Sequence, residues 1–85
     1  MAKYKIEIKK SAVKELNNLQ SNDLKRIVKL IQNLADNPRP PGCKKLTGDE
    51  KYRIRSGSYR LLYTIQDDIL LIIVIKIAHR RDVYR

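Results

Sequence analysis

The chain is poor in the residues that build aromatic cores, disulfides and metal sites. Its 85 residues include no Trp, no Phe, one Cys, one His and one Met. The core must therefore be built from aliphatic side chains and the five tyrosines. Cys43 cannot form an intramolecular disulfide, which fits a protein of the reducing cytoplasm. The chain has no spacing of His, Cys and acidic residues typical of a metal site, so we expect no metal and no cofactor.

Long apolar runs and signature loops are also missing. The longest apolar run, 69–75, is far shorter than the ~18 residues needed to span a bilayer. The first residues alternate in charge and do not resemble a secretory signal. No glycine-rich phosphate loop, no Ser-His-Asp order and no paired carboxylates are recognisable. We therefore expect a cytoplasmic protein that does not bind membranes.

Acidic residues are scarce. Nine Asp and Glu against nineteen Lys and Arg give a net charge of +10, which makes a polyanion the natural partner. Six of the eight arginines lie between Arg53 and Arg85. Arginine makes planar, bidentate contacts with phosphate, whereas lysine acts as a point charge. The second half of the chain is therefore the expected recognition surface, with nucleic acid favoured over membrane.

The first half of the chain has the hydrophobic periodicity of one strand and two helices. Residues 3–9 alternate between apolar and charged, which is typical of a half-buried strand. Ser11 and Ser21 are the expected N-caps of two helices whose apolar residues recur at helical spacing. Three prolines between 38 and 41 end the second helix. The short connection between the helices predicts an antiparallel helical hairpin.

The second half predicts three strands, with residues 44–50 as a loop or a short edge strand. Breaks occur at Gly57–Ser58 and Asp67–Asp68, and the last strand, 69–77, is apolar enough to be central in a sheet. The element order is thus β-α-α-β-β-β. We predict a single α+β domain over 1–85, with the helical hairpin packed on one face of a largely antiparallel four-stranded sheet.

The Gly57–Ser58 break predicts a tight two-residue hairpin, and this turn determines which side chains oppose each other. In this register Arg55 opposes Arg60, and Arg53 lies on the same face. Opposed like charges repel by about 1 kcal/mol at ~4 Å in water, and by more when partly desolvated. A bound phosphate would relieve this repulsion. The alternative is a solvated basic strand face.

The last eight residues combine titratable groups with fixed positive charge. His79 and Tyr84 lie beside Arg80 and Arg81. General acid–base catalysis needs groups that transfer protons, and phosphoryl transfer needs positive charge on the non-bridging oxygens. A tyrosine can also stack on an unpaired base. The alternatives are a disordered basic tail and a histidine that only packs.

In this order, the segments resemble the RelE/ParE superfamily of toxins, and the RelE branch in particular. The resemblance covers almost the whole chain and is carried by Asn37-Pro38, Lys45-Leu46-Thr47-Gly48, Tyr52-Arg53-Ile54-Arg55, Gly57-Ser58-Tyr59-Arg60-Leu61 and His79-Arg80-Arg81-Asp82-Val83-Tyr84. It implies a microbial-ribonuclease-like fold and the toxin of a type II toxin–antitoxin pair. Such toxins cut mRNA in the ribosomal A site by attack of a ribose 2′-hydroxyl on the adjacent phosphate, without metal, and so inhibit translation. A RelB-like antitoxin wraps the toxin in a hetero-oligomer.

The resemblance also implies roles for individual residues. Arg53 and Arg55 would hold the phosphate and help activate the 2′-hydroxyl, and Arg60 would stabilise the transition state. Arg80 would lie near the leaving oxygen, and Tyr84 would orient the base and share in proton transfer. Further RNA contacts are expected from Lys44, Lys45, Lys51, His79 and Arg81. Arginine does not readily lose a proton, so the general base is Tyr84 or His79, or catalysis relies on charge and ribosomal positioning.

Two other functions are compatible with the same sequence features. A ParE-like inhibitor of DNA gyrase would use the same scaffold, because fold alone does not determine activity. The presence of Arg80 and Tyr84 favours the RelE branch. The second is a non-catalytic RNA-binding module, which the net charge supports as strongly as it supports an endonuclease.

Overall fold

The computed structural model describes residues 3–46, 48 and 50–79. Its elements are β1 (Lys5–Ile8), α1 (Lys10–Asn17), α2 (Ser21–Asp36), β2 (Lys44–Lys45), β3 (Lys51–Ser56), β4 (Tyr59–Gln66) and β5 (Leu71–His79). The sheet order is β1-β5-β4-β3-β2, with β1 parallel to β5 and the other pairs antiparallel. This confirms the predicted α+β class and the central last strand. The sheet has five strands rather than four, because Lys44 and Lys45 pair with β3 as a short edge strand.

The helix α1 begins one residue before its predicted cap, Ser11, and α2 begins at its predicted cap, Ser21. Lys9 precedes α1 and Gln20 precedes α2, and neither makes a side-chain capping hydrogen bond. Ser11 and Ser21 therefore lie inside the helices, and their predicted role as caps is wrong. Only Lys9 connects the end of β1 at Ile8 to the start of α1 at Lys10.

The last strand begins two residues later than predicted. Gln66 pairs with Leu71, so residues 67–70 form a four-residue turn rather than a two-residue one. Ile69 is 60% exposed in this turn, and Leu70 adopts a positive φ of 51°. The apolar run misled the prediction because its first two residues lie in the turn. The backbone oxygen of Leu70 nevertheless accepts a hydrogen bond from the Lys5 N–H at 2.8 Å, which helps align β1 with β5.

The helices and one face of the sheet share a single aliphatic core. Its buried residues are Ala12, Leu16, Ile27, Ile31, Leu34, Ile54, Leu61, Tyr63, Ile72, Val74 and Ile77. Each large aliphatic side chain buried in this way contributes about 1.5–3 kcal/mol to folding. Tyr63 is the one aromatic member, as expected for a chain without Trp or Phe.

The helix α1 also covers part of the edge of β5. The strand β1 pairs only with Leu71–Val74, which leaves the second half of β5 without a neighbouring strand on that side in the described chain. There the Ile77 N–H donates to Oε1 of Glu15 at 3.0 Å, and Lys76 Nζ lies 3.5 Å from Glu15 Oε2. The carboxylate thus satisfies a backbone donor that would otherwise be open to pairing with another chain.

Candidate nucleic-acid site

The β3–β4 hairpin has the predicted register. Ser56 pairs with Tyr59, Arg55 with Arg60 and Arg53 with Leu62. Gly57 has a φ of +61°, which the first position of a glycine-first two-residue turn requires. The opposition of Arg55 and Arg60 is therefore confirmed as a consequence of the turn.

The three arginines of the hairpin line a common groove of about 570 Å³. One wall comes from α2 and another from the loop of residues 40–42, and Lys44 also contributes. The groove lies at the edge of the sheet. The strand β2 pairs only with Tyr52 and Arg53, so β3 continues beyond it. None of the described residues that line the groove is acidic, so all of its charged lining residues are positive.

The opposed arginines differ in their surroundings. Arg55 is exposed, whereas Arg60 is partly buried and its Nε atom is shielded from solvent. Partial burial lowers the effective dielectric and strengthens every charge interaction of the buried group. A phosphate oxygen between the two guanidinium groups would therefore gain more than at a fully solvated lysine. Among the predicted residues, Arg53, Arg55, Arg60 and Lys44 are the ones that the structure brings together.

The helix α2 contributes to this groove, which the sequence pattern did not predict. Leu30 and Asn33 line it, and Arg26 reaches the hairpin turn, where its Nη1 atom lies 3.6 Å from the position of a Cβ built on Gly57. Residues 26, 30 and 33 are spaced so that they share one flank of a helix. That spacing was readable in the sequence, but nothing there indicated that this flank faces the arginines.

The loop that forms the second wall is anchored by a network around Arg39. Its guanidinium binds the Asp67 carboxylate through two hydrogen bonds of 3.2 and 2.8 Å. It also lies 5.2 Å from the centroid of the Tyr52 ring. Tyr4 donates to the same carboxylate, and the buried Tyr63 hydroxyl donates to the Pro38 carbonyl oxygen at 2.8 Å. These contacts hold the loop in place before any ligand binds.

The Asp67 carboxylate gives this network a pH dependence. The hydrogen bonds from Arg39, and then that from Tyr4, lower the pKa of Asp67 from 3.8 to about 2. Because the folded-state pKa lies below the unfolded value, the stabilisation is present above about pH 4 and is lost as the pH falls towards 2.

We expect Asp67→Asn to lower the thermal midpoint at pH 7, because the variant loses the charge-assisted bonds to Arg39. The difference in thermal midpoint between the variant and the wild type should shrink steadily as the pH falls from 4 to 2. Unfolding curves at pH 7, 4 and 2.5 measure it, with Asp68→Asn in the same turn as the control. A difference independent of pH would contradict the assignment.

A second groove of about 420 Å³ lies beside the end of β5. His79 lines it together with Glu15 and Tyr59, and the rings of His79 and Tyr59 meet edge to face with centroids 5.7 Å apart. His79 pairs with Tyr59 across the strands, while Arg60 pairs with the next residue along β5, Ala78. Strand alternation therefore puts His79 and Arg60 on opposite faces of the sheet.

The remaining predicted RNA contacts lie outside both grooves or outside the described residues. Lys45 forms an ion pair with Glu50 at 3.7 Å, and Lys51 sits opposite Thr64 at the far end of β3. Arg80, Arg81 and Tyr84 lie outside the described residues. Within the described ranges, no three His, Cys or acidic residues are grouped to hold a metal, and no helix has the length and apolarity to cross a membrane.

A family model described as the ParE toxin of type II toxin–antitoxin systems matches residues 6–84 of this chain. The RelE1 toxin of Methanocaldococcus jannaschii is 38% identical over 98% of this chain and 97% of its own length. The toxin RelG of Mycobacterium tuberculosis is 29% identical over 96% of this chain and 97% of its own. These matches span the segments on which the sequence resemblance rests.

Solved structures show the same fold. The archaeal RelE–RelB complex from Pyrococcus horikoshii contains a chain with a TM-score of 0.85 and 28% identity, covering 98% of this chain and 100% of that one. The isolated RelE toxin of Escherichia coli has a TM-score of 0.79 and 26% identity, covering 95% of this chain and 90% of that one. The first of these was solved with its antitoxin, the second without.

Proposed function

Since this chain belongs to the RelE/ParE superfamily of type II toxins, on its RelE branch, we propose that it is a ribosome-dependent mRNA endonuclease. It cuts mRNA in the ribosomal A site by attack of a ribose 2′-hydroxyl on the neighbouring phosphate. No metal ion takes part. The observation that carries the proposal is the groove that collects Arg53, Arg55 and Arg60 with no acidic lining residue in the described chain.

The three arginines have separable roles in this reaction. Arg53 and Arg55 lie two residues apart on the same face of β3 and hold the scissile phosphate. Arg60, opposite Arg55 and partly buried, stabilises the negative charge that develops on the phosphate oxygens. Fixed charges of this kind act without reorganisation, so they contribute more to the transition state than mobile surface lysines would.

The general base is not expected to be His79. That residue lies on the face of the sheet opposite Arg60 and contacts Tyr59. Proton transfer requires hydrogen-bond reach of the reacting hydroxyl, directly or through one water. Tyr84 takes this role, with Arg80 near the leaving oxygen, or the ribosome positions the hydroxyl while the arginines supply the charge.

We expect His79→Ala to lower mRNA cleavage less than about tenfold, because the variant removes an edge-to-face contact rather than a proton acceptor. Cleavage rates on programmed ribosomes measure the effect, and His79→Phe, which keeps a ring beside Tyr59, is the matched control. A cleavage rate lowered 100-fold or more in both variants would identify His79 as the general base.

The cellular setting follows from the proposed chemistry. The toxin works in the cytoplasm on ribosome-bound mRNA, as a single domain spanning 1–85. A RelB-like antitoxin binds it in a hetero-oligomer and covers the positive groove, as expected from the net charge of +10 and from the RelE–RelB complexes among its structural neighbours.

The direct test is an in vitro translation reaction with purified ribosomes and a defined mRNA. Wild-type protein should produce cuts within the A-site codon, with a 2′,3′-cyclic phosphate on the upstream fragment. The cleavage rate should not fall when the free Mg²⁺ concentration is lowered to the minimum that maintains the ribosome. Intact mRNA under all conditions would refute the proposed function.

Inhibition of DNA gyrase is the second candidate, because the matching family model is described as a ParE toxin. It predicts gyrase–DNA cleavage complexes in a supercoiling assay and no cut mRNA. The two assays run side by side with the same preparation decide between the functions.

A further inference from the structure

We propose that the groove between α2 and the edge of β3 binds the nucleotide next to the scissile phosphate, and that Asn33 selects its base. The inference deepens the proposed function and rests on it for the identity of the bound RNA. It concerns residues of α2 and of the 40–42 loop, none of which was predicted from the sequence to touch RNA.

The groove has the size and walls of a small-ligand site. Its volume of about 570 Å³ falls within the ~300–1,000 Å³ of typical small-molecule pockets. Leu30 and Pro40 give it apolar surface, which suits the flat face of a nucleobase. The phosphate-binding arginines line the same groove, so a base entering it belongs to a nucleotide held by them.

The loop wall is preorganised. Two bonds from Arg39 to Asp67 and one from the Tyr63 hydroxyl to Pro38 fix the chain immediately before Pro40. A wall that is already ordered costs less entropy on binding than one that must fold around its ligand. The opposite wall is a helix of sixteen residues whose Ile31 and Leu34 are buried in the core.

Asn33 is the polar group placed to read a base. It is an exposed residue of α2 that lines the groove with Leu30, and its side-chain amide has no hydrogen-bond partner among the described residues. An amide carries both a donor and an acceptor, so it can bind a base edge in two bonds at once. Such paired bonds discriminate between bases, whereas the arginines bind every phosphate alike.

Charge favours RNA over a peptide in this groove. The groove carries Lys44 in addition to the three arginines, and Arg26 stands at the hairpin turn. Cations at successive positions suit the regular charges of a nucleic-acid backbone. An extended acidic peptide is the alternative occupant, because it could pair with the β3 edge beyond Arg53.

The test uses the full chain and four 2′-O-methyl RNA trinucleotides, which differ only in one base and cannot be cleaved. We expect NMR shifts at the Asn33 side-chain amide and the Leu30 methyls, and at least about fivefold differences in affinity among the four bases. Asn33→Ala should reduce those differences to less than twofold while the protein still binds. Gln32→Ala, an exposed neighbour about 100° round the same helix, should leave them unchanged.

Three results would overturn the inference. They are equal affinity of the wild type for all four bases, base preference that survives in Asn33→Ala, and shifts at Asn33 produced by an acidic peptide but not by RNA. The inference and the proposed function fail separately. If Asn33→Ala cleaves mRNA with the same base preference as wild type, only the role of Asn33 in base selection is refuted. If the wild type binds RNA base-selectively but does not cleave mRNA on ribosomes, only the proposed endonuclease activity is refuted.

Discussion

Replacing Arg60 by alanine should lower the rate of mRNA cleavage on ribosomes by about 100- to 1,000-fold, the usual effect of removing one preorganised transition-state donor. Arg60 lies opposite Arg55 in the hairpin, and its Nε atom is shielded from solvent. Its charge would therefore act on a bound phosphate in a medium that screens it less than water does. Single-turnover cleavage of a defined A-site codon measures the loss in the chemical step.

Two variants control this experiment. Arg60→Lys keeps the charge but loses the planar, bidentate geometry, so it should recover only part of the activity. Lys25→Ala removes one positive charge from the exposed surface of α2, away from the residues that line the groove, and should cleave within about twofold of wild type. Equal losses in Lys25→Ala and Arg60→Ala would mean that net charge, rather than the groove, determines activity.

Tyr63→Ala should destabilise the protein by about 3–5 kcal/mol, the range for removing a large buried side chain. The Tyr63 ring is fully buried, stacks on Tyr52 at 5.9 Å, and its hydroxyl donates to Pro38. A domain of this length has a total stability of about 5–10 kcal/mol, so a substantial fraction of the variant should be unfolded at 37 °C. Urea unfolding followed by circular dichroism measures the change.

The variant Tyr63→Phe separates the contribution of the ring to stability from that of the hydroxyl group. It should cost about 1–3 kcal/mol, because the ring and its packing remain but a buried acceptor is left unsatisfied. The Pro38 carbonyl then loses its partner, so the effect should be accompanied by weaker RNA binding at the loop wall of the groove. Equal destabilisation by Phe and Ala would contradict the assignment of most of the stability to ring burial.

The hairpin shows how far local sequence can determine a site. Gly57 and Ser58 specify a two-residue turn, and the period of two along each strand then assigns every side chain to a face. The confirmed opposition of Arg55 and Arg60 therefore needed no information from the rest of the chain. The predicted start of β5 was wrong because it depends on strand pairing and not on local sequence. Ile69 and Leu70 are as apolar as a buried strand, and only the pairing of Gln66 with Leu71 places them in a turn.

The sequence by itself determined the order of the elements other than β2, the fold class, the aliphatic core and the register of the arginine pair, because each depends on periodicity or on a turn between adjacent segments. Only the tertiary structure decided that Leu30 and Asn33 join the arginines in one groove. It also decided that His79 faces away from them. These relations join residues distant in sequence, and the packing of α2 and the pairing of β5 with β4 bring them together or separate them.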